Sequence, residues 1–173
     1  VRDNRIHVNR DSRSLHEACI NTTTGVAFNI LNVNPNATLA GTGTFENPFS
    51  TLQAAAIANN PGVDVIRVVP RTDDTTTNLT VSGGISLFDN QTLLSSLKPL
   101  VLDADCIIPA DIGFPTTLGP LISNPTMLAG GSVVRLGNND AVIGMRIDAA
   151  NAAGTVFGNG IVNPLPITDV NLT

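Results

Sequence analysis

Apolar positions in this chain fall into short runs broken by Asn, Asp, Gly and Thr, and only one stretch carries a helical period. In residues 50–59, STLQAAAIAN, the side chains of Leu52, Ala55, Ala56 and Asn59 share one narrow face, which predicts a short helix. Ser50-Thr51-Leu52-Gln53 fits the S/T-x-x-E/Q capping box, with Phe49 placed as the staple residue before it. Asn59-Asn60-Pro61-Gly62 stops the helix, because proline cannot continue the ladder and glycine tolerates the reversal. The run that follows, VDVIRVV at 63–69, reads as a buried strand with Ile66 and Val68 inward and Arg67 outward. Upstream, residues 1–40 read as an arm. Ile6 and Val8 alternate with polar neighbours as an edge strand does, Thr22-Thr23-Thr24-Gly25 is a break, and residues 26–33 form a strand leading into Asn34-Pro35-Asn36. Residues 72–78, with Asp73-Asp74 and a threonine run, read as a solvated excursion.

Subtraction along the chain suggests a repeat. At an offset of 25, Leu136 falls on Ile161, Val142 on Ile167, Met145 on Val170 and Ile147 on Leu172, while Asn138 falls on Asn163. At an offset of 49, LFDNQTLLS (87–95) lies over LGNNDAVIG (136–144). A period in the twenties, built from short strands with asparagine at the turn, is a solenoid signature. Ile143, Met145 and Ile147 alternate with Gly144 and Arg146, a strand period, so the expected architecture is all-β: a parallel β-helix with stacked turn asparagines. Its expected extent is residues 41–173, opened by a capping helix at 50–59 that acts as a lid. Pro109, Pro115, Pro120 and Pro125 mark one irregular coil between 97 and 131. Val170 and Leu172 are inward-type residues with no cap after them. Further coils of the same protein, or a partner chain, are therefore expected to stack on residues 170–172, with the fold continuing beyond Thr173.

Composition narrows the partners. Charged residues are 13% of the 173, apolar residues are 42%, and Trp and Tyr are absent, which suits a narrow β interior of small aliphatics. A net charge of −5 and the lack of stacking aromatics argue against nucleic acid, although Arg2, Arg5, Arg10 and Arg13 cluster in the arm. No apolar run approaches the roughly 18 residues of a membrane helix, and no signal-peptide pattern is present. Cys19 and Cys106 leave two readings: two buried free thiols, the simpler one, or a disulfide tying the arm to the stack.

Each candidate for chemistry meets a plainer reading. Gly41-Thr42-Gly43 fails as a dinucleotide loop because the sixth position is Glu46, whose carboxylate repels a pyrophosphate. His16-Glu17 opens like H-E-x-x-H, but the fifth residue is Ile20 and the other histidine is His7. Asp103 and Asp105 could set two carboxylates on one strand face for acid–base or calcium chemistry, with turn and edge roles favoured. Arg135 and Arg146 are outward but sit in no catalytic motif. Asn21, Asn36, Asn78, Asn90 and Asn171 lie in N-x-T sequons and are read as turn residues. No catalytic, cofactor-binding or metal-binding residue is assigned, and no cofactor is expected.

GTGTFENPFSTLQAA (41–55) and GVDVIRVVP (62–70) resemble the opening of right-handed parallel β-helix proteins of the pectin-lyase-like superfamily. Arg5-Ile6-His7-Val8, Asn34-Pro35 and GISLFDNQTLL (84–94) resemble, more narrowly, large bacterial surface proteins of the planctomycete type. The resemblance implies an extracellular or cell-surface setting in a bacterial envelope and glycans as conceivable partners. It does not imply activity, since the architecture carries lyases, hydrolases, adhesins and stalks. Lyases of that superfamily use an acidic calcium cluster and a Trp-containing strand, and related hydrolases use several aspartates with a histidine; those patterns are missing here. The expected function is a non-catalytic structural or adhesive module. The alternative is the N-terminal part of a polysaccharide lyase or glycoside hydrolase whose catalytic residues lie elsewhere.

Overall fold

A computed structural model describes residues 19–72, 79–104, 106–113, 118–126, 132–148, 159–162 and 170–172. In chain order its elements are β1 (Ile30–Val33), α1 (Leu52–Ala58), β2 (Val65–Val68), β3 (Leu79–Thr80), β4 (Ile85–Ser86), β5 (Thr92–Ser95), β6 (Leu100–Asp103) and β7 (Cys106–Ile108). There follow β8 (Leu121–Ser123), β9 (Ser132–Arg135), β10 (Asp140–Ile143), β11 (Arg146–Asp148), β12 (Asn159–Val162) and β13 (Val170–Leu172).

The expected right-handed parallel β-helix is corrected by this topology. The strands form four small sheets: β1-β2-β5-β10-β13, β11-β8-β3 and β12-β9-β4, all parallel, and the antiparallel pair β6-β7. No closed solenoid is detected among the described residues. The registers also lack a regular repeat: Ile30 pairs with Val65, Val65 with Thr92, Thr92 with Ala141, and Asp140 with Val170, so the connections differ in length from one strand to the next and do not follow the expected offset. The offset-25 pairs are accordingly not partners: Ile161 lies opposite Val134 and Val170 opposite Asp140. Ile167 and Asn163 lie outside the described residues. The 49-residue offset, in contrast, is the observed register of β5 on β10, with Leu93 opposite Val142 and Leu94 opposite Ile143.

That register is set by a polar turn stack. Asn138 donates from its backbone N to Asp89 Oδ1 at 2.8 Å, and Asn139 Nδ2 donates to Asn90 Oδ1 at 3.1 Å. Asn90 and Asn139 have φ of 68° and 57°, a left-handed conformation that asparagine tolerates better than most residues. Beneath the turn, Gln91 is 1% exposed and all its side-chain valences visible here are used. Its Nε2 donates to Asn60 O and Val63 O, and its Oε1 accepts from Asn59 Nδ2 and Phe88 N, all between 2.7 and 2.9 Å.

The three parallel sheets share one apolar core that includes Ile66, Val68, Leu79, Ile85, Leu93, Ile122, Val134 and Val142. Helix α1 adds Leu52 and Ala55 to it. Its N-cap is Thr51, one residue later than the sequence box places it: Thr51 Oγ1 accepts from Ala54 N at 3.2 Å. Gln53, freed from that box, accepts instead from Ser82 N at 2.7 Å. A second cluster of Ile30, Val65, Leu94 and Ile108 lies on the other face of the five-stranded sheet, where the β6-β7 hairpin covers it. With both faces covered, β2 is buried along its whole length, as parallel strands commonly are. The hairpin occupies part of the stretch expected to make one irregular coil.

Cys19 and Cys106 form a disulfide, Cα–Cα 5.3 Å, which decides the open choice between bridge and free thiols. It clamps the chain just before β1 to the hairpin.

Candidate functional site

Alternation along β2 sends Arg67 to the face opposite Ile66 and Val68, and the cover on that face makes this arginine buried, 2% exposed. Its register partner on β1 is Asn32, also buried. Residues 41–49 fold over the edge of β1. Thr42 N and Gly43 N both donate to Asn47 O, Asn32 N donates to Gly43 O at 2.7 Å, and Phe49 N donates to Asn32 O at 2.9 Å. This loop sets the Phe45 ring 5.5 Å from Arg67 Cζ. From the other side, Asp111 N donates to Ser96 O at 2.7 Å, and the Asp111 carboxylate meets the guanidinium, with Nη2 2.5 Å from Oδ1.

Between the two walls is a cavity of about 700 Å³, with Arg67 and Asn32 toward its floor and Glu46, Asp111 and Ile112 among its lining. Three buried polar atoms here lack an aligned hydrogen-bond partner, Arg67 Nε, Arg67 Nη2 and Asn32 Oδ1. Arg67 Nη2 is close to Asp111 without hydrogen-bond alignment, so that contact is chiefly an ion pair. Asn32 Nδ2 reaches Ile30 O and Gly43 O only at 3.4 and 3.5 Å. Burial pulls the Arg67 guanidinium below its ordinary pKa and the neighbouring Asp111 charge pulls it back up; arginine stays protonated throughout the working range. The described lining holds no histidine, cysteine, serine or lysine. Such a set can bind and orient a ligand; its acid–base groups are the carboxylates of Glu46 and Asp111, the latter held against Arg67.

The residues singled out from sequence sit elsewhere and apart. Asp103 accepts from Thr22 N at 2.6 Å, Thr22 Oγ1 at 2.7 Å and Ala104 N at 2.7 Å. These bonds, the Thr22 amide first, hold its carboxyl below the usual range. It fastens the arm beside the disulfide, while Asp105 lies outside the described residues. Arg135 Nη1 donates to Gly83 O at 3.3 Å, and Arg146 Nε donates to Gly119 O at 2.8 Å, in different sheets. The amides of Thr42 and Gly43 are occupied by Asn47 O. Asn21 Oδ1 accepts from Thr23 N and Thr24 N, Asn36 Oδ1 accepts from Thr72 N, and Asn90 makes the turn above. His7, His16, Glu17, Asn78 and the arm's four arginines lie outside the described residues. Among the described residues no three His, Cys, Asp or Glu converge on a metal-sized site, and no helix is long and apolar enough to cross a membrane.

Sequence reasoning passed over Arg67, Asn32 and Asp111. The available signal was an arginine inside the apolar run VDVIRVV, where a charge needs a partner if both faces of the strand are covered. The likeness to pectin-lyase-like proteins rests on the quoted residues alone, because comparison with family models, curated proteins and solved structures returned no match.

Proposed function

We propose that this chain is a non-catalytic module of a protein that works outside the cytoplasm, as a structural or adhesive element at a cell surface or in secretion. The observation that carries this reading is the disulfide between Cys19 and Cys106. Such bonds persist in oxidising compartments and are rare where glutathione keeps thiols reduced. Its neighbour Asp103, the best acid–base candidate in the sequence, serves as an anchor for Thr22. The bridge closes a loop across a sequence separation of 87, for which chain entropy alone gives a stabilisation of about 4–5 kcal/mol, an upper figure for a real protein.

The test has two arms. Protein made in an oxidising compartment should show no free thiol by alkylation and mass measurement, and its melting temperature should fall on reduction. The same protein should release no unsaturated or reducing sugar from acidic or neutral polysaccharides. Free thiols in that material would remove the basis for an extracytoplasmic role. Sugar release abolished by Asp103→Ala would overturn the non-catalytic reading.

A further inference from the structure

We infer that the cleft over Arg67 is a binding site for a neutral, hydroxyl-rich ligand, of which one sugar residue of a neutral glycan is the natural class. This goes beyond the structural role proposed above, and a module lacking this ligand would leave that role intact.

The size is right. A volume of about 700 Å³ lies within the roughly 300–1,000 Å³ of pockets that hold small molecules.

Charge then selects the class. Arg67 contributes one positive charge, and Glu46 and Asp111 contribute two negative ones, so the cleft carries an excess of one acid. An anionic ligand meets Glu46 at the wall, and the cation that would answer it is already held by Asp111. A cationic ligand finds Asp111 already committed to Arg67 and gains only the solvent-screened carboxylate of the exposed Glu46. A neutral ligand needs neither charge, provided that its groups can both donate and accept.

Hydroxyls do both. The Glu46 and Asp111 carboxylates only accept, the Arg67 guanidinium only donates, and Asn32 Oδ1 accepts. Arg67 Nε and Asn32 Oδ1 are buried with unused hydrogen-bonding capacity, a costly arrangement in a folded interior. Their residues are register partners on β2 and β1 and both line the cleft; a hydroxyl can accept from the first atom and donate to the second. Both atoms are closed off from solvent, so a ligand that uses them has to move the cleft wall formed by Phe45 and Asp111.

The apolar part of the lining fits the same ligand. Ile112 is 94% exposed, far more than folding requires of an isoleucine, and it stands at this cleft with Pro109. A sugar has C–H faces as well as hydroxyl edges, and an apolar surface beside carboxylates and an amide matches both.

The probes are glucose, galactose, mannose and N-acetylglucosamine as neutral sugars, with galacturonate as the anionic comparator. Binding is read by ligand-observed saturation-transfer NMR and titration on the full chain. Arg67→Met could disturb the sheet, so the deciding variants are Glu46→Ala and Ile112→Ser, both at exposed positions. At least one neutral sugar should bind saturably. Either variant should weaken it by about tenfold, the scale of one lost charged hydrogen bond or one apolar contact. Galacturonate should bind more weakly than its neutral counterpart galactose. The proposal fails if none of the four neutral sugars binds saturably, if both variants bind as the parent does, or if galacturonate is preferred.

Discussion

Replacing Gln91 by leucine tests how much of this fold is held by a single buried amide. The two side chains have similar volume, so the change removes hydrogen bonds without opening a large cavity. Four bonds are lost: Nε2 to Asn60 O and Val63 O, and Oε1 from Asn59 Nδ2 and Phe88 N. Their partners differ in what they can recover. Asn60 is exposed and Phe88 is 40% exposed, so water can reach those groups, whereas Val63 is buried and its carbonyl is stranded. Asn59 Nδ2 keeps its second bond, to Ser86 O at 2.8 Å. Four net contributions of about 0.5–1.5 kcal/mol each, reduced for the recoverable pair, give a loss of about 2–4 kcal/mol. That is a large share of the 5–15 kcal/mol typical of a domain. Urea unfolding of parent and Gln91→Leu protein, compared at equal slope, measures it. A loss below about 1 kcal/mol would mean that the α1–β2 connection and the β4–β5 turn are held together by packing instead, and the reasoning would be wrong.

Asp103→Asn should change the acid limb of the stability curve. The Asp103 carboxyl is held below its ordinary value, first by the Thr22 amide. Its contribution is therefore present above about pH 4 and is lost as pH falls through the lowered folded-state value, so the variant should show a smaller acid loss than the parent. Equal acid losses in urea titrations would count against the anchor. At Asn139, whose φ is 57°, glycine should be tolerated within about 0.5 kcal/mol. Valine there should cost about 1–3 kcal/mol from backbone strain; a valine variant as stable as the glycine one, by the same denaturation, would contradict the left-handed turn. Asp140 behaves oppositely to Asp103. Burial raises its pKa despite the Gln91 and Gly137 amides, so its contribution is fullest at acid pH and declines as pH rises through the raised value. Direct NMR titration should place Asp140 above the ordinary carboxylate range and Asp103 below it.

Local chemistry was legible in the chain by itself. The helix at Leu52–Ala58 and its stop at Asn59 follow from a short 3.6 period and from Asn-Asn-Pro-Gly. The strand Val65–Val68 follows from an apolar run, and the stacking of 136–144 on 87–95 follows from matched polar turns. Each depends on residues adjacent in sequence or on two segments of the same pattern. Only the tertiary structure decided the rest. The offset of 25 matched apolar positions that are not register partners; it is the register of β8 on β11, while β1, β2, β5, β10 and β13 stack at unequal offsets that carry no periodic signal. Thr51 displaced Ser50 as the cap once Gln53 found Ser82 across the fold. The outer face of β2 was assigned to solvent because alternation reports which way a side chain points, and it is silent on what later covers it. The cover comes from the 41–49 loop, which brings Phe45, and from the segment after β7, which brings Asp111; together they turned Arg67 from a surface charge into a buried ion pair.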